Sequence, residues 1–167
     1  MRVTVIALLV SSFAFAAPRA QALLRNTEGK KVGTADFTSV DGGVHVTLKV
    51  KGFSPGPHGF HVHELGSCVG PDFISAGGHF NPDEKKHGGS NPSGAHVGDL
   101  DNLAVDVKGD GTGEFIVLRA SLDSAPGGLL KKDGTSLVLH ADADDLKTDP
   151  AGNSGARIAC GVIRAKK

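Results

Sequence analysis

Tryptophan and tyrosine are absent from this chain, methionine occurs once, and aromatic residues make up only 5 %. Helical periodicity is equally hard to find, which argues against an α-helical fold. Beyond the first residues no apolar run is long enough to cross a bilayer. A large charge of either sign is missing too. Residues 1–22 carry two of the eighteen basic residues, Arg2 and Arg19, and no acid, so the rest has a net charge of −2. That balance argues against a nucleic-acid or anionic-membrane partner. Any attraction for an anion must come from local charges. Internal repeats and domain linkers are also absent, and 167 residues suit a single domain.

The start of the chain is of another kind. Met1-Arg2 is positive, Val3 to Ala16 is almost unbroken apolar, and Ala20-Gln21-Ala22 offers a small-x-small cleavage site. That order is a secretory signal peptide. Cleavage is expected after Ala22, with Ala14-Phe15-Ala16 as the second choice. The domain then spans 23–167 and is large enough to bury a core. In an exported protein the cysteine pair, Cys68 and Cys160, suggests one disulfide; free or metal-bound thiols are the alternative. Closing so long a loop stabilises by roughly 4–5 kcal/mol at most on the chain-entropy model.

What is abundant is glycine, 24 residues, which with proline and aspartate punctuates short β-branched runs. This is the profile of an all-β domain with many turns. Val44, Val46, Leu48 and Val50 alternate with polar residues, the period of a strand with one buried face. Lys31 to Ser39 is its expected partner across Asp41-Gly42. Leu103, Val105 and Val107 alternate likewise and pair with 114–120 across Asp110-Gly111. With 23–27, 59–64, 136–140 and 158–163 the count reaches about eight strands, enough for an antiparallel sandwich or flattened barrel. Two segments, 65–98 and 141–156, lack periodicity. Loops of that length in a compact domain are either disordered or tethered, here by a metal and a disulfide.

Seven of the eight histidines lie from His58 onward, in those segments or at strand ends. His61 and His63, two apart on a strand, point to one face and can reach one ion. His79, His87, His96 and Asp99 follow in the long loop, and His140 closes a later strand. Imidazoles with one carboxylate suit zinc and copper, not calcium or magnesium. Three imidazoles and one carboxylate make a closed tetrahedral zinc site, whose binding energy would order a loop with little apolar surface.

The segments GFHVHELGSC, GGHFNPDEKKHGG, HVGDL, VLHADADDL and GNSGARIACGVI occur in that order. Together they resemble the signature segments of the copper/zinc superoxide dismutase family, most closely its bacterial periplasmic members. The resemblance implies an eight-stranded Greek-key sandwich with two long functional loops. It implies copper ligands His61, His63, His79 and His140, and zinc ligands His79, His87, His96 and Asp99, with the ring of His79 bridging both ions. It gives Asp144 the role of a carboxylate bonded to His61 and His87. Arg157 becomes the guanidinium that docks the anion, and Cys68–Cys160 the disulfide that ties the metal loop to a strand. The implied reaction converts superoxide to dioxygen and hydrogen peroxide by a copper redox cycle in which His79 takes up and returns a proton. A non-catalytic copper/zinc carrier on the same fold is the alternative, and a purely structural sandwich the third reading. A homodimer is expected. Lys147 is either part of the guiding field or simply solvated. His58 is expected to pack beside the site, His45 to lie at the surface, and Asp142 and Asp145 to be solvated. The run 123–135 carries no assigned role.

Overall fold

The computed structural model describes residues 19–166. The expected leader therefore lies outside the described residues as far as Pro18. The first strand, β1 (Arg19–Asn26), begins ahead of the boundary expected after Ala22. It is followed by β2 (Lys31–Val40), β3 (Gly43–Lys51), β4 (Gly56–His58), β5 (Phe60–His63), β6 (Leu103–Val105), β7 (Asp110–Leu118), β8 (Ser136–His140) and β9 (Arg157–Ala165). One short 3-10 turn, Ile74–Ala76, is the only helical element among the described residues. All pairings are antiparallel, in the order β4-β6-β7-β3-β2-β1-β9-β8-β5.

The expected all-β architecture is present, with nine strands where eight were expected. The additional one is β4. It lies at one end of the sheet order and β5 at the other, and only Gly59 separates them in the chain. The two ends of the sheet thus meet at a single residue, and the sheet is a nearly closed, flattened barrel. Gly59 donates its N–H to the carbonyl of Asp142 (2.8 Å) and accepts from the N–H of His140 (2.9 Å). A Cβ there would lie 2.6 Å from the side chain of Ser154, so the close approach needs glycine.

The hairpin β2–β3 turns at Asp41-Gly42, as its sequence demands. Val44, Val46, Leu48 and Val50 enter the core while Lys49 and Lys51 face solvent. The second hairpin differs from expectation. Asp110 and Gly111 belong to β7, and the turn is made by Asp106 to Gly109. The Asp106 carboxylate accepts from the N–H groups of Lys108 (2.8 Å) and Asp110 (3.0 Å), an aspartate-centred turn that competes with strand extension. Val107, expected on the buried face, is 90 % exposed in that turn.

Leu137 and Leu139 of β8 face the main core, while Val138 faces a second cluster with Phe73, Ala76 and Cys160. The segment after β5 therefore covers the outer face of β8 and β9. Cys68 and Cys160 are joined as a disulfide, which excludes the free-thiol alternative. Within 123–135, Leu129 is buried in the core and its carbonyl accepts from the hydroxyl of Thr135 at 2.6 Å.

Candidate metal centre

The site starts from β5, all four residues of which are buried. Phe60 and Val62 belong to the core, so by strand alternation His61 and His63 share the opposite face. One edge of β5 pairs with β8, which ends at His140. The other edge is covered by the long loop. Phe80 donates its N–H to Val62 (2.8 Å), Val62 donates to Gly98 (2.9 Å), and Gly98 donates to Phe80 (2.8 Å). This ladder satisfies an otherwise open strand edge and lays His79 and Asp99 beside the two histidines.

Two groups of side chains result. The ligand atoms of His61, His63, His79 and His140 lie within 4.8 Å of one another, and so do those of His79, His87, His96 and Asp99. His79 belongs to both. In the first group His61 Nδ1 and the Nε2 atoms of His63, His79 and His140 are buried without a hydrogen-bond partner. Four orphaned nitrogens in one place are costly unless something accepts their lone pairs. Their opposite nitrogens are all engaged. His61 Nε2 meets Asp144 Oδ2 (2.6 Å), His63 Nδ1 donates to the Gly77 carbonyl (3.0 Å), and His140 Nδ1 donates to the Gly155 carbonyl (3.3 Å). Such outer contacts fix the tautomer and leave a lone pair directed inward. A set of inward-facing imidazoles fits copper.

The second group gathers on one oxygen. Asp99 Oδ1 lies 2.8 Å from His79 Nδ1, 3.1 Å from His87 Nδ1 and 3.1 Å from His96 Nδ1. Its Oδ2 accepts from the N–H groups of Gly88 (2.8 Å) and His96 (3.0 Å). Three imidazole nitrogens around one carboxylate oxygen fit a tetrahedral zinc site. The third set, His61, His87 and Asp144, is a bridge instead. Asp144 Oδ1 meets His87 Nε2 (3.0 Å) while Oδ2 holds His61, so one buried carboxylate links the outer nitrogens of both groups.

Electrostatics follow burial and neighbours. Burial pushes His63 well below the ordinary histidine value, helped by His79. Burial holds His79 and His140 at about 4 and also lowers His61. These rings are neutral at pH 7 and ready to ligate. His87 also loses solvent, but Asp144 and Asp99 outweigh that loss and raise it to about 9. Hydrogen bonds from the surrounding imidazoles hold both carboxylates well below their usual range, against the opposing effect of burial.

Arg157, at the start of β9, donates Nη1 to the Phe73 carbonyl (2.8 Å) and Nη2 to the Gly77 carbonyl (2.7 Å). Gly77 is thus shared with His63. The guanidinium is half-buried, with further N–H groups left over. His58 packs beside the site as expected, its Nδ1 bonded to the His140 carbonyl at 2.8 Å. His45, expected at the surface, is half-buried on the polar side of β3, 3.6 Å from Glu114. Asp142, Asp145 and Lys147 are exposed. Asp145 is more than solvated, however. It accepts from the N–H groups of Lys147 (2.9 Å) and Thr148 (2.7 Å) and from Asn153 Nδ2 (2.9 Å), shaping the second loop.

Other contributors were invisible in the sequence. Asn102 exchanges two bonds with the Asp144 backbone, at 2.7 and 2.8 Å. Asp149 accepts from the His87 N–H at 2.8 Å. Neither residue sits in a ligand-like spacing, so no local signal marks them.

A family model described as copper/zinc superoxide dismutase matches residues 31–163. The chain belongs to the copper/zinc superoxide dismutase family. It is 46 % identical over 151 residues to a superoxide dismutase (Cu-Zn) of Aquifex aeolicus, covering 87 % of this chain and 86 % of that protein. A crystal structure of a SOD-like protein from Bacillus subtilis matches with a TM-score of 0.82 at 44 % identity, over 85 % of this chain and 96 % of that one. The Cu/Zn superoxide dismutase of Brucella abortus matches with a TM-score of 0.69 at 31 % identity, over 87 % and 99 %. The two side-chain groups fit the metals that the family name implies.

Proposed function

We propose that the chain dismutates superoxide to dioxygen and hydrogen peroxide, with His61, His63, His79 and His140 holding copper and His79, His87, His96 and Asp99 holding zinc. The observation that carries this reading is the set of four unpartnered buried ring nitrogens, one of them on the histidine shared with the Asp99 group. Copper supplies one-electron exchange with superoxide by alternating between two oxidation states, and zinc supplies fixed positive charge.

The protein's own groups do the rest. His61, His63 and His140 present lone pairs without having to shed a proton near neutral pH, because burial already keeps them neutral. His79 turns Nδ1 toward the Asp99 group, 2.8 Å from Oδ1, so Nε2 on the opposite side of the ring is the atom placed to take up a proton and return it. Arg157 attracts and orients the small anion with the N–H groups not spent on Phe73 and Gly77. The Gly77 carbonyl keeps that guanidinium in register with His63. Asp144 fixes the outer nitrogens of His61 and His87 together. A non-catalytic carrier on the same fold accounts less well for a full inward-facing set beside a held arginine.

The test is superoxide decay measured with the purified chain stripped of metal, then loaded with copper, with zinc and with both. Activity that needs copper supports the enzyme; tight binding of both metals with no decay supports the carrier.

We also assign the start of the chain to an export leader, ending at Ala22 or, as the second choice, at Ala16, and the mature protein to the periplasm, a reading supported by the formed disulfide and by bacterial relatives. Ala20 and Ala22 are buried in β1, between β2 and β9. Cleavage after Ala22 would remove half of that strand, whereas cleavage after Ala16 leaves it whole. N-terminal sequencing of exported protein decides between them, with a start at or before Arg19 expected. Elution of the mature chain as a dimer would support the expected homodimer; a single-chain species would count against it.

A further inference from the structure

One peptide unit, the C=O of Gly77 and the N–H of Gly78, touches three functional groups. Its oxygen accepts from His63 Nδ1 (3.0 Å) and from Arg157 Nη2 (2.7 Å). Its N–H donates to the Glu64 carboxylate at 2.9 Å. Glu64 in turn donates its own backbone N–H to the Gly78 carbonyl at 3.0 Å, so the two segments are clasped twice. Gly77 has φ +75°, and a Cβ there would lie 2.6 Å from Glu64 Oε1. The glycine therefore both allows the turn and lets the carboxylate lie over the peptide.

We propose that Glu64 is a positioning residue for His63 and Arg157, acting through the Gly77–Gly78 peptide; the inference rests on the copper-site reading above. A carboxylate bonded to a peptide N–H polarises that peptide and strengthens its carbonyl as an acceptor, since hydrogen bonds in series reinforce one another. The strengthened carbonyl holds the Nδ1–H tautomer of His63, which keeps Nε2 a ligand. It also anchors the guanidinium that receives the anion. Glu64 is exposed, so packing gives it no other evident task.

The experiment uses the copper- and zinc-loaded chain and the variants Glu64→Ala and Glu64→Gln. Azide serves as the anion probe, and the electron paramagnetic resonance spectrum of cupric protein reports the ligand field. In E64A azide affinity falls about tenfold, the lower end of the range for outer contacts of metal ligands. The copper spectrum shifts, and the Gly78 amide exchanges faster in the metal-free chain. E64Q keeps an acceptor oxygen and restores most of both readouts. The melting temperature of each variant stays near that of the unaltered chain. An E64A protein with unaltered azide affinity and copper spectrum overturns the inference while leaving the site reading intact. Failure of the unaltered chain to bind copper removes both together.

Discussion

The two halves of the metal centre are built from different material. His61, His63 and His140 stand on β5 and β8, whose partners and register are set by the sheet. His87, His96 and Asp99 stand on residues 80–99, which contain no regular strand. In the strand half, the inward nitrogens have no hydrogen-bond partner among the described residues. In the loop half, three imidazoles lean on Asp99 Oδ1. Sheet pairing and core burial place the strand half. The loop half is positioned largely by its own polar groups, so an ion there becomes part of its folding energy. His79 is where the two regimes join.

The sharpest way to break this contrast is His79→Ala. Both halves lose a ligand at once, and superoxide decay by the fully loaded chain is expected to fall by more than about a hundredfold, beyond the range for outer contacts. A loss no larger than that of a single-sided ligand change would show that the halves act separately. Asp144→Ala removes the link between the halves but no ligand. Metal affinity should fall about 10- to 100-fold, measured by competition with a chelator, more for zinc than for copper, because His87 depends on two carboxylates.

Metal removal sharpens the comparison without a mutation. Stripping both ions should lower the melting temperature by about 20 °C, if each binds near a thousandfold excess over Kd and so contributes about 4 kcal/mol. Hydrogen exchange should quicken in 80–99 while β5 and β8 stay protected; equal loosening of both would contradict a strand half placed by the sheet.

The smallest effect is on the pH dependence of the metal-free chain. His79 and His140 sit at about 4, below the ordinary 6.5. Between those values the unfolded chain binds protons that the folded chain refuses, so stability should fall as pH drops from about 6.5 to about 4. His87, raised to about 9, acts oppositely. Its contribution is full below 6.5 and disappears as pH rises through 9. Melting temperatures across this range should therefore decline on both sides; a flat profile would show that these shifts do not survive in solution.

How much was legible depended on whether a feature is local. The alternation of Val44 to Val50 identified β3, because period two is a property of the strand itself. Asp41-Gly42 marked its turn for the same reason. Asp110-Gly111 misled: Asp106, four residues earlier, captures the turn with its carboxylate, a competition that dipeptide rules do not weigh. β4 escaped notice because three residues carry no period, and its role comes from lying across the barrel seam. Every residue named for the two groups is found in them, but Asn102, Asp149 and Glu64 act through backbone groups of distant segments and leave no spacing to read.

The amino-acid sequence alone determined the strand-rich class, the histidine inventory and its division between strand and loop, since those follow from periodicity and donor chemistry along the chain. Only the tertiary structure decided which nitrogen of each ring faces inward. It also decided that one carbonyl serves His63 and Arg157 together. Those choices belong to hydrogen bonds between residues far apart in sequence, and such bonds exist only once the sheet has closed around them.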